Sequence, residues 1–264
     1  MTTILGILNI TEDSFSDGAK YLDPVAAIAH GRALVADGAG VLDLGAASSN
    51  PESKGVAPKI EIGRLEPVVS ALKDVALSID SFSLPVQRWA LAQGVAYIND
   101  IHGFADTSLY PELAGSSAKL IVMHAVQEQG AATRVDVAPE IIMSRIAKFF
   151  EARLSGFERA GIARSRLIID PGMGFFLGTD PRTSFTVLAN LARLKARFGL
   201  PILVSVSRKS FLRRLTGRDV RSTAAVSLAA ELFAIRQGAD YIRTHAPGAL
   251  RDALLLNKTL KESE

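Results

Sequence analysis

The chain contains no cysteine, which excludes disulfides, thiolate nucleophiles and thiolate metal ligands and fits a reducing cytosol. It has no dense Lys/Arg stripe interleaved with aromatics, and its formal net charge of +3 is too small to point to nucleic acid. That mild positive balance is compatible with an anionic substrate. No apolar run reaches the length needed to cross a bilayer. Met1-Thr2-Thr3 leads straight into an apolar run without a basic or long hydrophobic leader, so neither anchor nor signal peptide is expected and the cytoplasm is the expected location. Histidines and carboxylates are too dispersed for a recognisable zinc motif. With 48% hydrophobic and 22% charged residues, a packed core is within reach and disorder is not expected.

What the chain does have is a rhythm. Eight short apolar runs recur, and nearly every one stops at a polar residue: Ile4–Leu8 at Asn9, Gly40–Leu42 at Asp43, Val75–Ile79 at Asp80, Val95–Ile98 at Asn99, Leu120–Met123 at His124, Leu167–Ile169 at Asp170, Ile202–Val206 at Ser207 and Tyr241–Ile242 at Arg243. Between them lie stretches of helical apolar spacing, among them Pro24–Asp37, Lys59–Asp74, Pro85–Gln93, Thr107–Ala114, Pro139–Ala160, Pro181–Phe198, Ser222–Gln237 and Pro247–Leu260. Strand followed by helix, eight times, predicts an α/β fold, a (β/α)8 TIM barrel with parallel strands. Its 264 residues suit one domain spanning 1–264, since such barrels run to about 250 residues. The site of such a barrel lies at the C-terminal strand ends, where these polar residues fall. Two long loops at that face, Thr11–Asp23 and Ala46–Pro58, are candidate substrate lids, although their composition also suits plain connectors.

The strand ends gather acceptors early and cations late. Asp43, Asp80 and Asp170, with Asn99 and Asp100, point to a bowl suited to a substrate rich in N–H donors, such as an amino-pyrimidinone ring. The competing reading makes each Asp a helix cap. Ser207-Arg208-Lys209-Ser210 and Arg243-Thr244-His245 follow the seventh and eighth strands, the usual phosphate position in these barrels. The competing reading there is an Arg–Asp ion-pair ring. His124 reads as a satisfied strand-end residue. A magnesium ion bridging a diphosphate to Asn9 fits oxygen-ligand chemistry. In Asp170-Pro171-Gly172-Met173-Gly174-Phe175-Phe176 two glycines allow close backbone approach, and the paired Phe form an apolar wall or enter the core.

Taken in order, these strings resemble the dihydropteroate synthase family. The resemblance runs through Gly6-Ile7-Leu8-Asn9-Ile10-Thr11 with Asp13-Ser14-Phe15-Ser16-Asp17-Gly18, through Asp43-Leu44-Gly45 with Ser48-Ser49 and Pro51, and through Ile79-Asp80-Ser81, Ile98-Asn99-Asp100-Ile101, Met123-His124, Asp170-Pro171-Gly172, Ser207-Arg208-Lys209-Ser210 and Arg243-Thr244-His245. It implies a transferase of folate biosynthesis that joins p-aminobenzoate to 6-hydroxymethyl-7,8-dihydropterin diphosphate. It implies Asp80, Asp170, Lys209 and Arg243 as catalytic residues, with Asp80, Asn99, Asp170 and Lys209 on the pterin. Asn9, Arg243 and His245 would hold the diphosphate, with Mg2+ at Asn9, and Thr11, Phe15, Ser49, Phe175, Phe176 and Ser207 would border the p-aminobenzoate pocket. A homodimer through the late helices is also implied.

Two departures stand out. The second loop carries Ser48-Ser49-Asn50-Pro51 where the family carries Ser-Thr-Arg-Pro, and Phe176-Leu177-Gly178 replaces the family's Gly-Lys in a segment about two residues longer. Both resemble the sulfonamide-insensitive branch spread by resistance plasmids, so weakened sulfonamide inhibition is expected. The alternatives are a pterin-dependent methyltransferase barrel, a Schiff-base aldolase using Lys209, and a non-catalytic pterin-binding module. The basic late loops favour a diphosphate leaving group over the first, and the place of Lys209 beyond its strand end, beside Arg208, disfavours the second.

Overall fold

A computed structural model of the chain describes residues 2–11, 22–48, 55–127 and 135–263. Phe15, Ser49 and most of the two long loops lie outside the described residues. The elements alternate as the rhythm predicts: β1 Thr3–Asn9, α1 Pro24–Ala36, β2 Val41–Gly45, α2 Pro58–Ala71, β3 Leu77–Asp80, α3 Leu84–Ala92, β4 Tyr97–Asp100, α4 Tyr110–Gly115, β5 Lys119–Met123, α5 Pro139–Arg159, β6 Leu167–Asp170, α6 Pro181–Ala189, α7 Leu191–Phe198, β7 Leu203–Val204, α8 Ser210–Thr216, α9 Ala224–Arg236, β8 Tyr241–Thr244 and α10 Pro247–Glu262. The strands are parallel and ordered β6-β5-β4-β3-β2-β1-β8-β7. A bridge between Ile169 and Ile202 joins the two ends of the sheet.

Side chains alternate across each strand. One face sends Leu5, Val41, Tyr97, Ile121, Ile168 and Leu203 into the barrel, where they form a closed apolar layer. The other sends Ile4, Leu8, Leu42, Leu44, Ile79, Ile98, Leu120, Val122, Ile169 and Ile242 out against the helices. Burial on both faces explains why these strands read as continuous Val/Ile/Leu runs. Above the apolar layer the inward positions turn polar. Asp43 lies beside Ile7, Asp80 beside Asn99, and Asp170 beside Met123 in the strand register. The packed layer is thus the floor of a polar bowl.

Proline at the first helical turn opens α1, α2, α5, α6 and α10, where its missing N–H has no partner to lose. Three departures from the sequence reading stand out. β2 does not stop at Asp43 but runs on to Gly45, because Asp43 points inward to a charge partner and leaves the ladder intact. The predicted helix 181–198 is two helices, broken at Asn190 (φ −114°), whose amide donates to the Thr186 carbonyl at 2.8 Å. An unforeseen α8 follows the basic tetrad and ends on left-handed Gly217.

Candidate active site

The centre of the bowl is an ion-pair network. Arg243, from β8, directs Nε at the Asp43 carboxylate and an NH group at Asp80 Oδ2, 2.8 Å away. The Asp43 side chain is wholly buried, and those of Arg243 and Asp80 are 14% and 21% exposed. Asn99 Nδ2 reaches both Asp43 oxygens at 3.4–3.5 Å. Burial pushes Asp80 up to about 7, and neighbouring Asp43 adds to that while Arg243 and Lys209 oppose it. Burial likewise raises Asp170 to about 6, against the Gly172 N–H bond and the Lys209 and Arg243 charges. Lys209 falls to about 8, through burial and the nearby Arg243 charge, with Asp170 and Asp80 restraining the fall. For Arg243 burial acts downward, but Asp43 and Asp80 outweigh it and the guanidinium is held above its ordinary value. Several groups titrating near neutrality in one cleft mark a candidate chemical centre.

The β6 end supplies a rigid turn. Gly172 donates its N–H to Asp170 Oδ1 at 2.8 Å and sits at φ +76°. A Cβ there would lie 2.4 Å from the His124 carbonyl oxygen. His124 itself is buried, with Nδ1 3.2 Å from the Pro171 carbonyl. Burial pulls its pKa down to about 4, so the neutral ring donates from Nδ1. Beyond the turn, Phe175 and Phe176 are half-buried and Leu177 takes the core position. The Phe175 and Phe176 carbonyls accept from Gln127 Nε2 (3.0 Å) and the Val126 N–H (2.9 Å). The Lys209 ammonium lies 5.0 Å above the centre of the Phe176 ring. Phe176 therefore borders the bowl, and neither Phe is buried in the core.

The two late loops close the other side. Ser207 Oγ accepts the His245 N–H at 3.2 Å and lies 3.0 Å from His245 Nδ1. Burial, then the Arg208, Arg243 and Lys209 charges, hold His245 far below its ordinary pKa, so the imidazole is neutral at pH 7. Arg208 adopts a left-handed backbone (φ 58°) and donates its N–H to Ser227 Oγ at 3.0 Å. A left-handed non-glycine residue is strained, and such strain clusters at functional sites. Asn9 Oδ1 and Asp80 Oδ2 both flank Gly45, 3.6 and 3.8 Å from where its Cβ would stand.

The sequence profile of the family described as pterin binding enzyme matches residues 5–245. The chain is 55% identical over 262 residues to the dihydropteroate synthase type-2 of Escherichia coli, spanning 98% of this chain and 96% of that one. The chain belongs to the dihydropteroate synthases. Its fold matches a solved Yersinia pestis dihydropteroate synthase in a sulfonamide drug complex with a TM-score of 0.90, at 31% identity over 99% of this chain and 94% of that one. It also matches a Coxiella burnetii dihydropteroate synthase in complex with pteroic acid with a TM-score of 0.89, at 28% identity, covering 100% and 94%. A methyltransferase barrel is not favoured.

In this dihydropteroate synthase, Asn9, Asp80, Asn99, Asp170, Lys209, Arg243 and His245 all stand at one mouth of the barrel, with Thr11, Phe175, Phe176 and Ser207 at its rim. Phe15 and Ser49 lie outside the described residues. Lys209 follows its strand end, as read, but its charge acts inside the bowl on Asp170 and Asp80. Asp100 is not a free acceptor. Gln87 Nε2 (2.8 Å) and the N–H groups of His102 (2.7 Å) and Phe104 (3.2 Å) occupy its carboxylate, so it shapes the β4 loop. Two buried carboxyls escaped the sequence reading, Glu61 on α2 and Glu231 on α9, each 2% exposed. For Glu231 a lone acid within an otherwise apolar helical segment was the available signal, whereas Glu61 shares α2 with Lys59, Arg64 and Glu66 and carried none.

Among the described residues no group of three His, Cys, Asp or Glu side chains could cage a metal ion. Asn9 Oδ1 and Asp80 Oδ2 both lie within 4 Å of where a Gly45 Cβ would stand; they are hard oxygens of the kind Mg2+ takes with water and substrate oxygens, and Arg243 already donates to that Asp80 oxygen.

Proposed function

We propose that the chain carries out its family's reaction in this bowl, joining p-aminobenzoate to 6-hydroxymethyl-7,8-dihydropterin diphosphate to give 7,8-dihydropteroate and diphosphate. The observation that carries the assignment of residues is the Asp43–Arg243–Asp80 network, which places a fixed guanidinium between the acidic floor and the basic late loops. Asp80, Asn99, Asp170 and Lys209 bind the pterin, the carboxylates accepting its N–H groups and the ammonium donating to its acceptors. Asn9, Arg243 and His245 take the diphosphate. With Nδ1 accepting from the Ser207 hydroxyl, a neutral His245 would donate to the diphosphate from Nε2. Asn9 would also hold Mg2+, which supplies neutralisation of diphosphate charge when bound.

The chemistry follows from the charges. The methylene carbon–oxygen bond breaks, its electron pair leaves with the diphosphate, and positive charge develops on the pterin methylene. Arg243 stabilises the leaving oxygens, while Asp80 and Asp170 offset the developing cation. The arylamine nitrogen then bonds to the methylene and loses a proton. Thr11, Phe175, Phe176 and Ser207, with Phe15 and Ser49, orient the arylamine and exclude water. Incubation of the purified chain with both substrates and Mg2+, followed by chromatography for dihydropteroate, is the direct test. Absence of product would refute the reading.

The titrations set a pH profile. Asp170 near 6 and Asp80 near 7 must be ionised to accept ring N–H groups, so protonation weakens catalysis on the acid side. Lys209 near 8 must stay charged, so its deprotonation weakens catalysis on the alkaline side. The kcat/KM for the pterin diphosphate is therefore expected to be bell-shaped, with limbs that belong to the interacting set as a whole. A profile flat from about pH 5 to 9 would contradict these roles.

Weakened sulfonamide inhibition is the finer proposal. Phe176 stands at the rim under the Lys209 ammonium, where its ring crowds a ligand longer than p-aminobenzoate while leaving the smaller substrate room. Phe176→Gly is expected to tighten sulfonamide inhibition about tenfold or more, with a smaller change in the KM of p-aminobenzoate. Inhibition as weak as in the parent would refute the steric account. We also propose a cytoplasmic homodimer formed through α9 and α10, the latter exposing Leu255, Leu256 and Leu260 at 55–63%. Light scattering measures its mass. Among the described residues no helix is long and apolar enough to cross a membrane.

A further inference from the structure

Phe176 can reject a longer ligand only if its main chain does not give way, because a ring on a yielding backbone moves aside and the clash disappears. The backbone from Gly174 to Thr179 is pinned from three sides. From α6, Ser184 Oγ accepts the Gly174 N–H at 3.0 Å. From α8, Arg214 donates to the Thr179 carbonyl at 2.6 Å. The segment after β5 supplies three further bonds. The Val126 N–H donates to the Phe176 carbonyl at 2.9 Å, and the Val135 carbonyl accepts the Thr179 N–H at 2.8 Å. Gln127 Nε2 donates to the Phe175 carbonyl at 3.0 Å. Packing is close as well. A Cβ on Gly178 (φ +115°) would stand 3.0 Å from the Val135 carbonyl oxygen, and one on Gly172 would stand 3.4 Å from Phe176 Cβ. Phe176 is thus lodged against the turn after β6, with its ring under the Lys209 ammonium. Val126 and Val135 act through main-chain atoms, which any residue supplies. Gln127 acts through its side chain, is 7% exposed, and meets the residue before Phe176 within a single 3-10 turn, Gly174–Leu177. So short a turn has poor hydrogen-bond geometry of its own and leans on outside partners.

We infer that Gln127 is a positioning residue for ligand discrimination: from the β5 side it holds the backbone that carries Phe176, and so sets how firmly the arylamine pocket excludes ligands longer than p-aminobenzoate. This rests on the reading that the Phe176 ring crowds a sulfonamide. The Gln127 Nε2 is committed to a backbone carbonyl, so its effect reaches the ligand through Phe176. Loosening that anchor lets the ring retreat from a long ligand and lowers the cost of admitting it. The smaller substrate meets no clash, so the firmness of the wall matters little to its binding.

The test uses the full chain in steady-state kinetics, with sulfamethoxazole as the inhibitor. Gln127→Met keeps the length of the side chain and lacks the N–H donor, and Gln127→Ala removes the side chain. Each is expected to lower the sulfamethoxazole inhibition constant about threefold to tenfold, the worth of one hydrogen bond, with the KM of p-aminobenzoate and kcat within about twofold of the parent. In a Phe176→Gly background there is no ring to hold, so Q127M should add no further change. A merely structural role would not produce that coupling, since general loosening moves both ligands and adds in either background. Parental inhibition in both Q127M and Q127A, or equal tightening with and without the Phe176 ring, would overturn the inference. If Q127A does not fold, Q127M carries the same test. An F176G variant inhibited as weakly as the parent would overturn the steric reading itself, whereas a tightened F176G beside an unchanged Q127M overturns only the role of Gln127.

Discussion

Replacing Arg243 with methionine is expected to lower kcat/KM by about 10²–10³ and to destabilise the fold by about 3–5 kcal/mol. The two losses have different origins. The first is the loss of a donor from the leaving diphosphate, where charge develops in a water-poor cleft. The second arises in the free protein, because Asp43 has no solvent exposure and Arg243 is its charge partner. Removing one member of a buried pair leaves the other uncompensated. A melting temperature lower by about 10 °C is the readout. The origins separate in a double variant. Asp43→Asn in the R243M background removes the stranded charge and should restore much of the stability without restoring turnover. Arg243→Lys keeps the charge but loses the planar fork that reaches Asp43 and Asp80 together, so it should fall between the parent and R243M. Activity within threefold of the parent in R243M, against the roughly 10²-fold expectation, would remove Arg243 from the chemistry.

Much of this arrangement is legible along the chain, and the limits have physical reasons. A parallel strand buried on both faces must be apolar for its whole length, so the first polar residue after each run marks the barrel mouth. That logic locates Asn9, Asp80, Asn99, Asp170 and Arg243 from the sequence alone. It misplaces the end of β2, because Asp43 is polar yet inside the ladder. Its partner lies 200 positions away, and only the strand register brings the two together. Asp100 follows the same sequence logic as Asp80, but it points away from the lumen and is consumed by backbone donors. Periodicity does not separate neighbours on opposite faces when a strand is four residues long. The break at Asn190 is hidden because apolar spacing continues through it. Glu231 is visible as an odd acid among alanines and leucines, but its burial depends on which face of α9 turns inward, a tertiary fact.

Gly172→Ala is the second large effect, and its size comes from backbone geometry alone. The residue sits at φ +76°, where a side chain costs about 1–2 kcal/mol. The new Cβ would also stand 2.4 Å from the His124 carbonyl oxygen, a backbone atom with no rotamer by which to retreat. The surroundings hold that carbonyl in place. The His124 N–H donates to the Asp170 carbonyl at 2.8 Å and its ring to the Pro171 carbonyl at 3.2 Å, so β5 and the turn after β6 are locked together. Relief of the clash must separate them, at a total cost of about 3–5 kcal/mol. It also pulls the Gly172 N–H away from Asp170 Oδ1, now 2.8 Å away, and frees the carboxylate to which the proposed function assigns the pterin ring. A displacement of about 1 Å at such a group is worth about 10²-fold in rate. Gly94→Ala is the internal control, since Gly94 has the same backbone handedness (φ +71°) with nothing within 4 Å of a new Cβ. It should lose only the conformational part, about 1–2 kcal/mol, and keep full activity. If G172A proved as stable and as active as G94A, the turn would be more pliable than its three hydrogen bonds to the chain around it allow, and Asp170 would owe its position to something else.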